Sequence, residues 1–188
     1  MRFLEWIYDF RGLLVAPPIL ISLICFYSET ESDILILSLG IPIMFIGTFI
    51  RIWSQQHLHY RLPDSKILTT TGPYEFVRNP IYIGNILICV GATILSELLW
   101  LVPITFIWCI GMYSLVIRYE ESKLLKKYGQ AYQQYMSEIP RWFPFKFRFK
   151  NIGLITKYFY HSVIVEIHCL LLILIFVFKE TLESWFIS

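Results

Sequence analysis

Long apolar stretches separated by short polar connections run along nearly the whole chain. Five of them have the composition, and fully or nearly the length, of bilayer-crossing helices: residues 12–27, 34–53, 81–96, 98–117 and 159–178. Within lipid every backbone amide must be paired inside the protein, and a helix pairs its amides within itself. The pattern therefore predicts an all-α, multi-pass membrane bundle with about five transmembrane helices.

Two further segments are typical of a membrane surface. Residues 3–10 mix aromatic and acidic side chains and are expected to lie at the interface. Residues 118–138 carry apolar side chains at intervals of three and four, which predicts a cytoplasmic amphipathic helix interrupted at Gly129. Within the first crossing, Pro17 and Pro18 predict a break whose freed carbonyl groups find partners in neighbouring helices.

The third and fourth crossings are joined by a very short turn around Ser96 and Glu97. A connection this short forces its two helices to pack side by side and antiparallel. The start of the third crossing and the end of the fourth then lie at the same level of the membrane. We therefore expect the polar stretch GPYEFVRNPIYIG, residues 72–84, to lie close to Glu120 and Glu121.

The distribution of charge predicts an orientation. Only 16% of the residues are charged, against about 25% in average domains, which argues against a soluble globule. Every Lys and Arg except Lys179 falls in the N-terminal segment or in connections that five crossings place on one side of the membrane. By the positive-inside rule this predicts an integral membrane protein with a cytoplasmic N-terminus and a C-terminus on the opposite side.

The sequence predicts no metal site. The four cysteines, Cys25, Cys89, Cys109 and Cys169, each fall within an apolar run without a CxxC pair, so they are interpreted as packing residues. His57 and His59 lie close together in sequence, but no acidic or Cys partner stands beside them.

The stretch 72–84 has the character of a shaped loop rather than of a helix. Pro73 and Pro80 fix φ and remove backbone donors, whereas Gly72 and Gly84 allow the backbone to bend or to approach a ligand closely. So many polar and turn-forming residues at a membrane boundary indicate a function, and we interpret the stretch as one wall of a cofactor pocket.

The pattern Arg-x-Pro-x-Tyr-x-Gly at 78–84, the helical hairpin, Glu120–Glu121 and the ending Gly-x-x-Tyr-x-x-Tyr-x-x-x-Ile-Pro at 129–140 occur in this order. Together they resemble the integral-membrane methyltransferases that include isoprenylcysteine carboxyl methyltransferase and the phospholipid methyltransferases. The resemblance covers residues 47–145 and implies methyl transfer from S-adenosylmethionine to a lipophilic acceptor at the cytoplasmic membrane face. It implies a lipid or lipid-linked substrate, the bilayer as partner and no nucleic acid.

Carried over residue by residue, the resemblance implies a set of cofactor contacts: His59, Lys66, Ile67, Leu68, Thr69, Tyr74, Asn79, Pro80, Ile81, Tyr82 and Glu120. Aromatic faces such as Tyr74 and Tyr82 can stabilise a sulfonium by about 0.5–2 kcal/mol. A carboxylate such as Glu120 can accept hydrogen bonds from ribose hydroxyls or an amino group. No GxGxxG follows a strand, which excludes a soluble Rossmann cofactor domain.

Two positions depart from the family pattern. Asn79 replaces the usual His, and an amide cannot titrate near neutrality. Val116 replaces an Arg that binds substrate in the carboxyl-methylating members, so a prenyl-cysteine carboxylate is not the expected acceptor. We assign Arg118 and Glu121 as catalytic candidates, and Arg51 and Arg141 as candidates for orienting the polar head of the acceptor.

Alternative interpretations remain open. The Arg-x-Pro-x-Tyr-x-Gly loop is also similar to that of sterol-type membrane reductases that use NADPH, and a non-catalytic scaffold could keep the same fold. Glu166 lies inside the last apolar run, so it is either functional or paired with Arg51 or Arg11. The chain is interpreted as a single membrane domain, residues 1–188, divided into 1–53 with two crossings, 54–145 with the cofactor region, and 146–188 with the last crossing.

Overall fold

A computed structural model describes residues 2–25, 33–61, 68–144, 153–169, 171–172, 174–175 and 178. The elements in these ranges are helical, which confirms the all-α prediction for this part of the chain. They are α1 Arg2–Asp9, α2 Arg11–Ile24, α3 Asp33–Arg61, a 3₁₀ turn Gly72–Glu75, α4 Pro80–Leu95, α5 Leu101–Tyr128, α6 Gln130–Glu138 and α7 Phe159–Val165.

Two helices in the described residues are long and apolar enough to cross a membrane: Ile36–Leu58 within α3, and α5. A third crossing results if α1 and α2, which meet at an angle of 59°, are counted as one bent span. α4 is apolar but has only 16 residues. The predicted last crossing, 159–178, lies partly outside the described residues. The five-crossing topology therefore stays a prediction.

α3 and α4 are in direct backbone contact along a seam of glycines. A Cβ atom built on Gly47 would lie 2.8 Å from the carbonyl oxygen of Gly84, and one on Gly84 would lie 2.7 Å from that of Gly47. Further along, a Cβ on Gly91 would lie 2.5 Å from Cγ of Met44. Small residues that allow backbones to approach this closely are characteristic of helix packing in membranes. We call these contacts the glycine seam.

The prolines of the first crossing do not break it. Pro17 and Pro18 lie inside the continuous helix α2, and the bend occurs about two turns earlier, between α1 and α2 at Phe10. Pro18 lacks the N–H that would bond to the carbonyl of Leu14, and the indole N–H of Trp108 on α5 donates to that carbonyl at 2.8 Å instead. The predicted break was wrong, whereas the predicted rescue of a freed carbonyl is confirmed.

The predicted amphipathic helix, residues 118–138, is not a separate element. Its first half continues α5 without interruption to Tyr128, and its second half is α6. Gly129 separates the two with φ of +55°, a conformation that glycine adopts readily, so the predicted interruption is confirmed. The hairpin turn also lies where expected: α4 ends at Leu95 and Glu97 has a φ of +63°.

Candidate active site

A cavity of about 260 Å³ lies where the 3₁₀ turn, the start of α4, the inner end of α5 and the helix α1 meet. Its volume is just below the range of about 300–1,000 Å³ that is usual for small-molecule sites. The lining residues are Tyr8, Leu58, Tyr74, Arg78, Asn79, Ile81, Tyr82, Glu120, Lys123 and Leu124. The structure thus brings the loop and the end of α5 together, as the hairpin geometry required.

Five of the predicted cofactor residues line this cavity together: Tyr74, Asn79, Ile81, Tyr82 and Glu120. Pro80 is buried as the first residue of α4 and is not part of the lining. Leu68 and Thr69 lie in irregular chain, also outside the lining. Lys66, Ile67 and the side chain of His59 lie outside the described residues.

The shape of the loop follows from its glycine and its prolines. Gly72 has φ of +64°, and a Cβ built on it would lie 2.3 Å from Nε2 of His57. After it, the 3₁₀ turn closes when the amides of Phe76 and Val77 donate to the carbonyl of Pro73 at 3.2 and 3.3 Å. Pro80 then starts α4 at the position where its missing N–H costs least. These constraints present Tyr74 and Asn79 to the cavity.

Three buried polar atoms of the loop have no hydrogen-bond partner among the described residues: Oε2 of Glu75, Nε of Arg78 and Nδ2 of Asn79. The side chain of Asn79 precedes α4 but does not cap it. It is 8% exposed and lines the cavity together with Arg78. Buried polar groups are nearly always paired, so unpaired donors beside a cavity are suited to an acceptor group of a ligand.

Glu120 faces the same cavity from the opposite side. Tyr82 on α4 donates a hydrogen bond from its hydroxyl to the Glu120 carboxylate, and the Tyr82 ring packs against Tyr113 with 4.9 Å between centroids. These contacts fix the carboxylate at the cavity wall. The cavity therefore has donors on its loop side and an acceptor on its α5 side.

Glu121, the next residue, points away into a buried ion-pair cluster. Nη2 of Arg78 lies 3.2 Å from its Oε1, and Arg141 donates from Nε and Nη2 to the two carboxylate oxygens at 3.1 and 2.5 Å. The hydrogen bonds to Glu121 raise the pKa of the Arg141 guanidinium. Glu121 and Arg141 are thus engaged with each other and tie the loop to α5.

α6 and the segment after it close over the outside of the loop. The hydroxyl of Tyr135 donates to the carbonyl of Tyr74 at 2.7 Å, and burial raises the pKa of that hydroxyl. Arg78 donates from Nη1 to the carbonyl of Met136 at 3.0 Å and from its amide to that of Pro140 at 2.9 Å. Tyr132, whose pKa burial raises to about 12, packs beside Tyr135. Tyr132 and Tyr135 thus support the loop and do not line the cavity.

Comparison with known sequences identifies the family. The sequence model described as Phospholipid methyltransferase matches residues 35–131, just over half of the chain and all of the cavity wall except Tyr8. The chain belongs to this family. The description of the family names a phospholipid methyltransferase, and the long apolar helices of the chain agree with a membrane protein.

Two curated bacterial proteins are similar to this family member. The nickel-cobalt-cadmium resistance protein NccN of Alcaligenes xylosoxydans xylosoxydans is 29% identical over 133 residues, which cover 69% of this chain and 61% of the relative. The cobalt-zinc-cadmium resistance protein CzcN of Cupriavidus metallidurans is 29% identical over 110 residues, 58% of this chain and 50% of the relative. The matches thus span about half to three fifths of these relatives. No solved structure matches the chain.

Sequence reasoning missed Tyr8 in the cavity wall of this family member. The bend between α1 and α2 brings Tyr8 back against α5, where its ring lies 5.2 Å from that of Tyr119. Cζ of Arg11 and Nζ of Lys123 lie 4.5 and 4.8 Å from the centre of the Tyr8 ring. Lys123 could have been found, because it follows Glu120 by three residues and therefore shares its helix face. No sequence signal located the bend at Phe10.

Two predicted arginines lie away from the cavity of this family member. Arg118 is exposed on α5 and is not part of the lining. Arg51 donates from Nε and Nη2 to the two carboxylate oxygens of Glu166 at 2.6 and 3.0 Å, which decides between the two partners predicted for Glu166. Arg51 thus connects α3 to the residue that follows α7.

His57 has a structural role in the fold. Its Nδ1 lies 2.9 Å from the hydroxyl of Thr71, and its Nε2 lies 3.0 Å from the carbonyl oxygen of Gly153. The neighbouring Gln56 accepts from the amide of Thr156 at 2.8 Å. Both ring nitrogens of His57 are therefore engaged in joining the loop to the segment before α7.

Proposed function

We propose that the chain transfers a methyl group from S-adenosylmethionine to a lipophilic acceptor at the cytoplasmic face of the membrane. The observation that carries this proposal is the meeting of Tyr74, Asn79, Tyr82 and Glu120 around one cavity in a member of the phospholipid methyltransferase family. S-adenosylmethionine, when bound, supplies a methyl group activated on a sulfonium. The protein's own contribution is to bind the two reactants, align them and exclude water.

The cavity residues fit this cofactor by their chemistry. The unpaired Nδ2 of Asn79 and Nε of Arg78 are donors suited to a carboxylate, and Glu120 is an acceptor suited to an ammonium or to ribose hydroxyls. The rings of Tyr74 and Tyr82 offer faces to a sulfonium. Holding two reactants in contact and in line supplies a large share of the acceleration of a displacement of this kind.

The acceptor is proposed to reach the cavity sideways from the bilayer and the cofactor from the basic side, with the N-terminus cytoplasmic. Asn79 stands where the family pattern has a His, so the side chain at this position cannot accept a proton near neutral pH. The catalytic assignment of Arg118 and Glu121 and the acceptor-binding assignment of Arg51 and Arg141 stay predictions. These four residues have no role in the proposed methyl transfer. Glu121 binds Arg141, and Arg51 binds Glu166. Arg118 lies outside the cavity lining.

Removing the Glu120 carboxylate tests the cofactor assignment. Glu120→Ala is expected to lower the affinity for S-adenosylmethionine by at least 10-fold, because hydrogen bonds to charged groups contribute about 1.5–3 kcal/mol. Isothermal calorimetry on the full chain in detergent measures this, with Glu138→Ala as a matched control on exposed α6. Unchanged affinity in Glu120→Ala would remove the central assignment.

Thermal stability separates the rival functions. S-adenosylmethionine should raise the melting temperature of the protein, whereas a reductase would respond to NADPH. A scaffold without a cofactor would respond to neither at millimolar concentration. Mass spectrometry of a lipid extract incubated with labelled cofactor then identifies the acceptor.

We propose tolerance of divalent transition metals as a second function, since both relatives carry names of metal-resistance proteins. The observation that favours it in this chain is a group of three metal-ligating side chains, Glu166, His168 and Cys169, whose ligand atoms lie within 4.8 Å of one another. Expression in a cobalt-sensitive host tests it. Cys169→Ser should abolish any growth advantage, and the effect of Glu120→Ala shows whether methyl transfer is also needed.

A further inference from the structure

The chain is irregular at the place where these three side chains meet. α7 ends at Val165, Glu166 has φ of −94° and ψ of 5°, and residues 167–169 are helical again. The amide of Cys169 donates to the carbonyl of Glu166 at 2.9 Å, a bond across three residues rather than four. In a regular helix, positions two apart point to opposite sides. The turn at Glu166 is what allows residues 166, 168 and 169 to converge.

The three ligand atoms form a compact set of one oxygen, one nitrogen and one sulfur. Sγ of Cys169 lies 3.3 Å from Oε2 of Glu166 and 3.4 Å from Nε2 of His168. Glu166 and Cys169 are buried, and His168 is exposed. Carboxylate, imidazole and thiolate together are ligands for zinc and for neighbouring divalent ions such as cobalt and cadmium.

The ion pair with Arg51 leaves room for an ion. Each carboxylate oxygen can accept two hydrogen bonds, and Arg51 occupies one position on each oxygen of Glu166. The remaining position on Oε2 accepts the thiol proton of Cys169. An ion in that direction would take the place of this proton, and Arg51 would keep the carboxylate ionised and fixed in orientation.

We infer that Glu166, His168 and Cys169 form a binding site for a divalent transition-metal ion of the zinc, cobalt or cadmium class. On binding, the thiol of Cys169 releases a proton to solvent and a sulfur–metal bond forms, without any change of oxidation state. Three protein ligands leave a fourth position for water or an anion, on the side of exposed His168. This inference deepens the second function proposed above and does not depend on methyl transfer.

The proposed site differs from the expectation of no metal, which rested on the missing CxxC pattern. Ligands at positions i, i+2 and i+3 have no helical periodicity, so only the distorted turn reveals them.

Cobalt titration of the purified full chain in detergent tests the site. A thiolate bound to Co²⁺ gives a ligand-to-metal charge-transfer band in the near ultraviolet, which should appear in the wild type and be absent in Cys169→Ser. His168→Ala should weaken Co²⁺ binding by at least 10-fold, since even indirect partners of metal ligands contribute about 10–100-fold. Cys25→Ser and His161→Ala are the matched thiol and imidazole controls and should retain wild-type affinity.

Two results would overturn the inference. The first is a wild-type protein that shows no charge-transfer band, and the second is a band that persists in Cys169→Ser, which would point to the buried thiols Cys89 and Cys109. Because His168 is exposed, His168→Ala leaves the core intact and keeps the test valid if Cys169→Ser does not fold. Intact cobalt binding without a growth advantage would reject metal tolerance and leave the site standing.

Discussion

The glycine seam and the cavity both involve the helix α4, and they differ in how completely their groups are packed and hydrogen-bonded. In the seam, the backbones of α3 and α4 are so close that a single added carbon at Gly47 or Gly84 meets a carbonyl oxygen. At the cavity, Arg78 and Asn79 keep buried donors without partners among the described residues. The face of α4 that meets α3 is a closed packing interface, whereas the loop at the start of α4 keeps buried donors that are suited to a ligand.

The largest expected effect comes from filling the seam. Gly47→Val should destabilise the protein by about 3 kcal/mol, at the upper end of the cost of overpacking, because the opposing atoms are backbone and cannot move aside. Thermal unfolding in detergent measures it. Gly111→Val is the matched control, since nothing lies within 4 Å of a Cβ at that exposed position of α5. Equal stability of the two variants would contradict the close contact of α3 and α4.

An intermediate effect is expected where the cavity loop is tied to the rest of the fold. Arg78→Ala removes the ion pair with Glu121 and the hydrogen bond to the carbonyl of Met136, and should cost about 1.5–3 kcal/mol. Arg141→Ala should cost less, because the Arg141 side chain is 34% exposed and that of Arg78 only 11%. Denaturant unfolding of the two variants gives the order, and the reverse order would show that the loop is not held by Arg78.

The smallest effect on stability should have the opposite sign. Asn79→Leu removes a buried donor that has no partner and replaces it with an apolar group of similar shape. The ligand-free protein should gain about 1 kcal/mol, because an unpaired buried polar group is costly. Its affinity for S-adenosylmethionine should fall by about 10-fold, the equivalent of one lost hydrogen bond. Unfolding and calorimetry on the same sample check both signs, and a destabilised variant would mean that Asn79 has a structural partner.

Features that depend on local geometry could be predicted from the sequence. The short turn at Glu97 was sufficient to predict Tyr82 near Glu120, since two antiparallel helices joined by a short turn bring the start of the first to the level of the later part of the second. Gly129 as a helix interruption and Pro18 with its freed carbonyl followed in the same way from backbone chemistry. None of these required knowledge of a distant partner.

Features that depend on distant partners could not be predicted. Glu120 and Glu121 are adjacent and chemically identical, yet one faces the cavity and the other binds Arg78 and Arg141. Successive residues on a helix point about 100° apart, and the sequence does not say which direction faces the cavity. The sequence left Glu166 either functional or paired with Arg51 or Arg11, and only the fold shows that it accepts hydrogen bonds from Nε and Nη2 of Arg51, more than a hundred positions earlier.

Tyr8 has a consequence for how selectivity can vary among related proteins. It belongs to the lining of the cavity but lies outside residues 35–131, the part that the family model matches. One wall of the pocket is therefore supplied by a helix that the family model does not include. Exchanging the first nine residues between two related chains is expected to change the lining of this pocket while every motif position stays the same.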